Sequence, residues 1–361
     1  MFSTSPVLTP RRSFRSAGRF SFVPSSTHRR KTFTMSTANL TTGSPASEPH
    51  ALGDNEVNPM ASVSERLQAE TTAVRLKIHW PSVRKTLSSD QTRQAAGTFD
   101  ADTKSVSASK KLLDTNHPAF RAATAVRKQA ADHWKANTLP YTEPGMRLIK
   151  RVDVPTFDVF MTSVRAELNE AVEQLELHFD ELIDQARERL GDLFDPADYD
   201  MNLHRLFGIE WDYPSCNPPE YLLQVSPQLY YSECSRVQRR FDEAVKLAEQ
   251  AFADELEQLV THLGERLRGD GGDSPKVFRD TAVTNLAEFL DRFQRLNIRS
   301  DDQLDRLVAD ARRIVGGVVP QQLREQSELR QRVATELSRV EASLEGWMTE
   351  RPRRSILRRS R

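Results

Sequence analysis

Only two of the 361 residues are cysteine, Cys216 and Cys234, too few for a disulfide framework or a four-thiolate zinc site. No apolar run approaches the roughly 18 residues that a membrane-spanning helix needs, because Arg, Asp or Glu interrupts each one. Aromatic residues make up 7% of the chain and the formal net charge is zero, so no overall field draws the whole molecule to a polyanion. Catalytic signatures are missing as well. The glycines at Gly269, Gly271 and Gly272 form neither a Walker loop nor a dinucleotide fingerprint and read as a helix-breaking turn. Two carboxylate-rich helices invite a di-iron reading, but the Glu-x-x-His pairs it needs are absent; His178 and His262 read as surface residues. No metal, cofactor or catalytic residue is therefore expected, and a cytoplasmic location fits the cysteine usage.

What the chain does have is a charge-rich composition, 28% charged with mean hydropathy −0.59, and long stretches of helical periodicity. Residues 1–69 lack apolar spacing and read as a disordered tail. Its first 34 residues are basic, serine-rich and free of acids. They resemble a transit peptide without its amphipathic helix, and Met35 is the expected start. In residues 70–154, Val74, Leu76, Ile78 and Trp80 alternate with Arg75, Lys77 and His79, the period of a half-buried strand. A weaker alternation covers Met146 to Val154, with helices near 107–115 and 118–137 between the two strands. This is a small mixed α/β module.

From Pro155 the apolar positions step by three or four. Phe157, Phe160, Val164, Leu168, Val172, Leu175, Phe179, Leu182, Ala186 and Leu190 predict one long helix ending at Gly191. A second stripe, Val237 to Leu267, follows the start signal Ser226-Pro227 and ends at Gly269. The two stripes predict a coiled-coil-like antiparallel hairpin over 155–269, with an aromatic, proline-rich connector at 192–225. Helices at 276–296, 301–315 (opened by a Ser300 to Gln303 capping box) and 321–349 make a C-terminal part within 270–350. The expected class is mainly α.

Charge divides the chain unevenly. Residues 74–151 hold 15 Lys and Arg against 6 Asp and Glu, whereas 152–269 hold 10 against 25. The tail 351–361 adds Arg351, Arg353, Arg354, Arg358, Arg359 and Arg361. The plain reading is that basic and acidic parts attract each other within the fold or across a dimer. The sharper one is that the tail, with the basic module, meets nucleic-acid phosphates. In the connector, aromatics sit among six acids and one base in 195–230, the wrong field for bases, so Trp211, Tyr213 and Tyr221 are candidates for a protein-recognition patch, or else plug the hairpin tip.

Several segments, among them KKLLDTNHPAFRAATAVR at 110–127, LPYTEPGMRLIK at 139–150, LFGIEWDYPSCNPPEYL at 206–222 and KVFRDTAVTNLAEFLDRF at 276–293, resemble an uncharacterised bacterial family of helical proteins. That resemblance covers about 74–357 and implies no activity. The expected function is thus a non-enzymatic scaffold or adaptor that binds proteins, with a homodimer through the 321–349 helix as one form of it. A nucleic-acid-associated protein is the alternative, and an enzyme whose site assembles only in three dimensions comes third. The adaptor reading leans on the two long stripes zipping into a rod.

Overall fold

The computed structural model describes residues 61–199, 202–268 and 280–350, and these form a mainly α-helical protein with a small antiparallel sheet. What was expected of 1–60 and 351–361 lies outside the described residues, whereas 61–69, expected to be disordered, hold most of the helix Val63–Glu70, opened by a Ser62–Glu65 capping box. In chain order the elements are α1 (Val63–Glu70), β1 (Thr71–His79), β2 (Arg84–Thr86), α2 (Ser89–Thr98), β3 (Ser109–Lys111), α3 (Pro118–Ala136), β4 (Leu139–Pro140) and β5 (Met146–Lys150). Next come α4 (Val154–Leu177), α5 (Phe179–Leu190), α6 (Leu203–Leu206), β6 (Gly208–Asp212), α7 (Tyr221–Val225) and α8 (Pro227–Arg268). Finally there are α9 (Thr281–Leu296), α10 (Asp302–Val315), α11 (Pro320–Glu325) and α12 (Ser327–Glu350). Among the described residues no helix is long and apolar enough to cross a membrane.

The sheet has the order β4-β5-β1-β6, antiparallel throughout, where the sequence suggested only two strands. Its inner part separates two hydrophobic cores. On β1, Ala73 belongs to one core and its neighbour Val74 to the other; on β5, Leu148 and Ile149 divide in the same way. Successive side chains on a strand point to opposite faces, so each face of the sheet supplies a different core.

That division corrects the expected hairpin. The stripe of α4 and α5 packs with α3 and one sheet face, whereas the α8 stripe packs with α1, α9, α10 and α12 on the other. The long antiparallel helix pair in this protein is α8 with α12. Thr261 donates to Glu341 at 2.7 Å, and Leu267 and Arg268 share a groove with Ser327, Arg330 and Gln331 further back along α12. The α12 stripe of Val333, Leu337, Val340 and Leu344 is consequently buried inside its own chain and offers no dimer seam.

Five local expectations also change. The helix over 155–190 breaks at His178, whose φ of −107° and ψ of 5° separate α4 from α5, although neither proline nor glycine marks the spot. Gly191 does stop the second piece, with φ at +52°, in the half of backbone space that other residues enter only at a cost. The segment 107–115 is not a helix, because Ser109–Lys111 pairs with Arg84–Thr86 as a two-stranded ribbon. The connector is not a hairpin tip: its Gly208–Asp212 stretch is the strand β6 beside β1.

The C-terminal helix divides at Gln326 into α11 and α12. In α10 the cap is Asp301 rather than Ser300, its Oδ1 accepting from the Leu304 amide at 2.8 Å. Asp301 Oδ2 also accepts from the buried Trp347 Nε1 at 3.3 Å, so Asp301→Ala is expected to cost at least about 1 kcal/mol in thermal or urea unfolding, and Ser300→Ala close to nothing. Equal costs would return the cap to Ser300.

Candidate functional site

The exposed part of β1 carries Arg75, Lys77 and His79, and the facing strand β6 carries Glu210 and Asp212. Arg75 grips Asp212 in bidentate fashion, Nε to Oδ1 at 2.9 Å and Nη2 to Oδ2 at 2.5 Å. Lys77 lies 3.7 Å from the same carboxylate, and His79 Nε2 lies 3.5 Å from Glu210. The Arg75 hydrogen bond leads the effects that hold the Asp212 carboxyl below its ordinary range. A second junction forms at Asp198, where Lys110 approaches at 2.6 Å and Lys85 also pairs. Basic module and acidic segment thus do attract each other inside the fold.

The cations left over on that module are the informative ones. Arg84, Lys111 and Arg121 have no ion-pair partner among the described residues, and neither do Lys104 and Lys135. In the β2–β3 ribbon, Arg84 faces Lys111 and Lys85 faces Lys110, arrangements in which like charges repel. Asp198 relieves the second pair only. Arg84 then joins Arg121, Arg127 and Lys128 around a groove of about 680 Å³ with Trp80 and Phe120 among its walls. The helical repeat of α3 puts Phe120, Arg121, Thr124, Arg127 and Lys128 toward this side. Arg127 is held over the Trp80 ring at 5.0 Å, while Phe207 meets that ring edge-on at 4.7 Å. Lys128 is paired with Asp132; no carboxylate lines the groove.

The three aromatics singled out from the sequence part company. Trp211 is engaged in the fold. Its Nε1 donates to Asp158 at 2.8 Å, Arg165 covers its ring at 4.9 Å, and it packs against the smaller core. Tyr213 and Tyr221 are exposed, Tyr221 to 62%. Tyr231, another connector aromatic, is exposed as well, and sequence reasoning missed the exposed aliphatic neighbours Leu223, Val225 and Leu229. Large exposed apolar residues elsewhere, such as Phe99 and Val319, are scattered, whereas residues 213–231 gather six of them. Period-two or helical spacing could not flag these positions, because it reports burial rather than its absence.

Folding also brings His117, His178 and Glu181 together, with one ligand atom of each within 4.8 Å of the others. His178 sits at the break between α4 and α5, and His117 caps α3, its Nδ1 accepting the Ala119 amide at 3.3 Å. That bond leaves the neutral ring's proton on Nε2, so a cation bound through Nε2 would have to displace the cap. His262 is exposed on α8, apart from this group. Cys216 and Cys234 are both free thiols, and burial pushes Cys216 above its ordinary value, away from the reactive thiolate. The arginines at 351–361 lie outside the described residues. No family model, curated protein or solved structure matches this chain.

Proposed function

We propose that this chain is a non-enzymatic cytoplasmic adaptor, of the helical family its segments resemble, whose docking surface is the apolar patch over 213–231. The exposure of Tyr213, Tyr221, Leu223, Val225, Leu229 and Tyr231 in one short stretch carries the reading, since monomer surfaces seldom leave such side chains grouped without a use. It replaces the helical rod as the basis for an adaptor. The partner is a protein that offers an apolar anchor with a lysine or arginine opposite Glu220, the exposed acid next to Tyr221.

A photo-crosslinking residue at Tyr221 is expected to trap such a partner, whose purified form then binds the intact chain. Tyr221→Ser with Tyr231→Ser should weaken that binding at least about tenfold while the melting temperature holds, because exposed substitutions shift stability by only about 0.5 kcal/mol each. Trp211→Ala should instead lower the melting temperature. An affinity indifferent to both tyrosines, or a crosslink that joins only two copies of this chain, overturns the proposed partner.

A second reading, nucleic-acid association, draws on the unpaired cations gathered around the Trp80 groove.

A further inference from the structure

We propose that the groove between α3 and the Trp80–Arg84 segment binds single-stranded nucleic acid through its phosphodiester backbone, an inference that rests on the second reading above. Arg75 and Lys77 share Asp212, and Lys85 and Lys110 share Asp198, but Arg84, Lys111 and Arg121 have no ion-pair partner among the described residues. Arg84 and Arg121 line the groove itself, and Lys111 faces Arg84 across the ribbon. The unpaired cross-strand couple Arg84 and Lys111 destabilises the ribbon in the free protein, and an anion along that edge reverses the sign of its contribution. Stacking on Trp80 fixes the place of the Arg127 cation at the groove instead of leaving it to range through solvent.

The walls select the kind of polyanion. Between the cations lie Trp80, Pro81, Val83 and Ala125, which offer apolar surface but no carboxylate. A duplex turns phosphates and sugars outward and hides its base faces, so it would leave that surface uncovered. An unpaired strand can lay a base or ribose against it while its phosphates reach the rim, the division of labour seen in single-strand grooves.

The test measures fluorescence anisotropy of labelled (dT)12 and (U)12 with the full chain across a series of sodium chloride concentrations. Four phosphate contacts predict a slope of log affinity against log salt of about −3, at roughly 0.7 per contact. Arg84→Ala with Arg121→Ala should cut affinity at least about tenfold and flatten the slope by about 1.4. The melting temperature should hold, since both side chains are exposed and unpaired. A parallel full-length variant changes Arg351, Arg353, Arg354, Arg358, Arg359 and Arg361 to alanine. If that variant loses binding while the groove variant keeps the wild-type affinity and slope, the groove proposal fails and nucleic-acid association stands on the tail. If neither strand binds at 50 mM salt, on the order of a low-salt assay, both fail. A duplex or inorganic polyphosphate that binds the groove as tightly as the strands overturns the single-strand assignment.

Discussion

Leu337→Ala is expected to lower the unfolding free energy by about 2–5 kcal/mol, the range for removing an enclosed leucine and leaving its cavity. Leu337 is fully buried on α12, in the larger core with Leu256 and Leu263 of α8. Leu168→Ala, on α4, should cost a similar amount because that side chain is 1% exposed in the smaller core. The informative variant is the double change at Leu168 and Leu256. These residues lie in cores on opposite faces of the sheet, so their costs should add to within about 0.5 kcal/mol in urea unfolding. Had 157–190 and 237–267 zipped together, the two would share neighbours and couple. A coupling well above that limit would contradict the separation of the cores.

Asp198→Asn should destabilise the protein by about 2 kcal/mol at neutral pH, because it leaves Lys110 enclosed beside a neutral amide. The Asp198 side chain is completely covered and that of Lys110 nearly so, while Lys85 stands half in solvent. Burial by itself raises the Asp198 carboxyl, but hydrogen bonds from Lys110 and then Lys85 outweigh it and set the group below its ordinary 3.8. A carboxyl lowered on folding contributes stability that is fully present above the unfolded value and disappears as the pH falls through the folded one. Unfolding midpoints of wild type and variant should therefore differ most at pH 7 and draw together below about pH 4. A gap that persists unchanged into acid would remove the ion pair as its source.

Much of the local structure was legible. The alternation from Val74 to Trp80 marked β1, Pro118 and Pro227 opened α3 and α8 where helix starts favour proline, and Gly191 closed α5. The misses have physical causes. Ser109–Lys111 holds no apolar residue, so only its distant partner Arg84–Thr86 makes it a strand. Ile209 and Trp211 alternate with Glu210 and Asp212, a strand signal hidden among prolines and aromatics that read as a loop. At His178 the apolar stripe runs unbroken from Leu175 to Phe179 and Leu182, so periodicity had no reason to register the break. For the candidate surfaces, composition showed a basic module and an aromatic connector. Which cations remain unpaired, and which aromatics face solvent, depended on strand pairing across more than a hundred residues of chain.

Periodicity in the sequence was enough to determine that the protein is mainly helical, which side of each long helix is apolar, and both ends of α3, α8 and α10 to within a residue or two. The tertiary structure alone decided that α8 lies against α12, that a sheet stands between α8 and α4, and that Asp198 and Asp212 neutralise some lysines and arginines and leave Arg84 and Arg121 free. The hydrophobic effect is non-directional, so a greasy stripe specifies that it will be buried and not by which partner. Partner choice follows from the sum of packing and charge over the whole chain, which no local window contains.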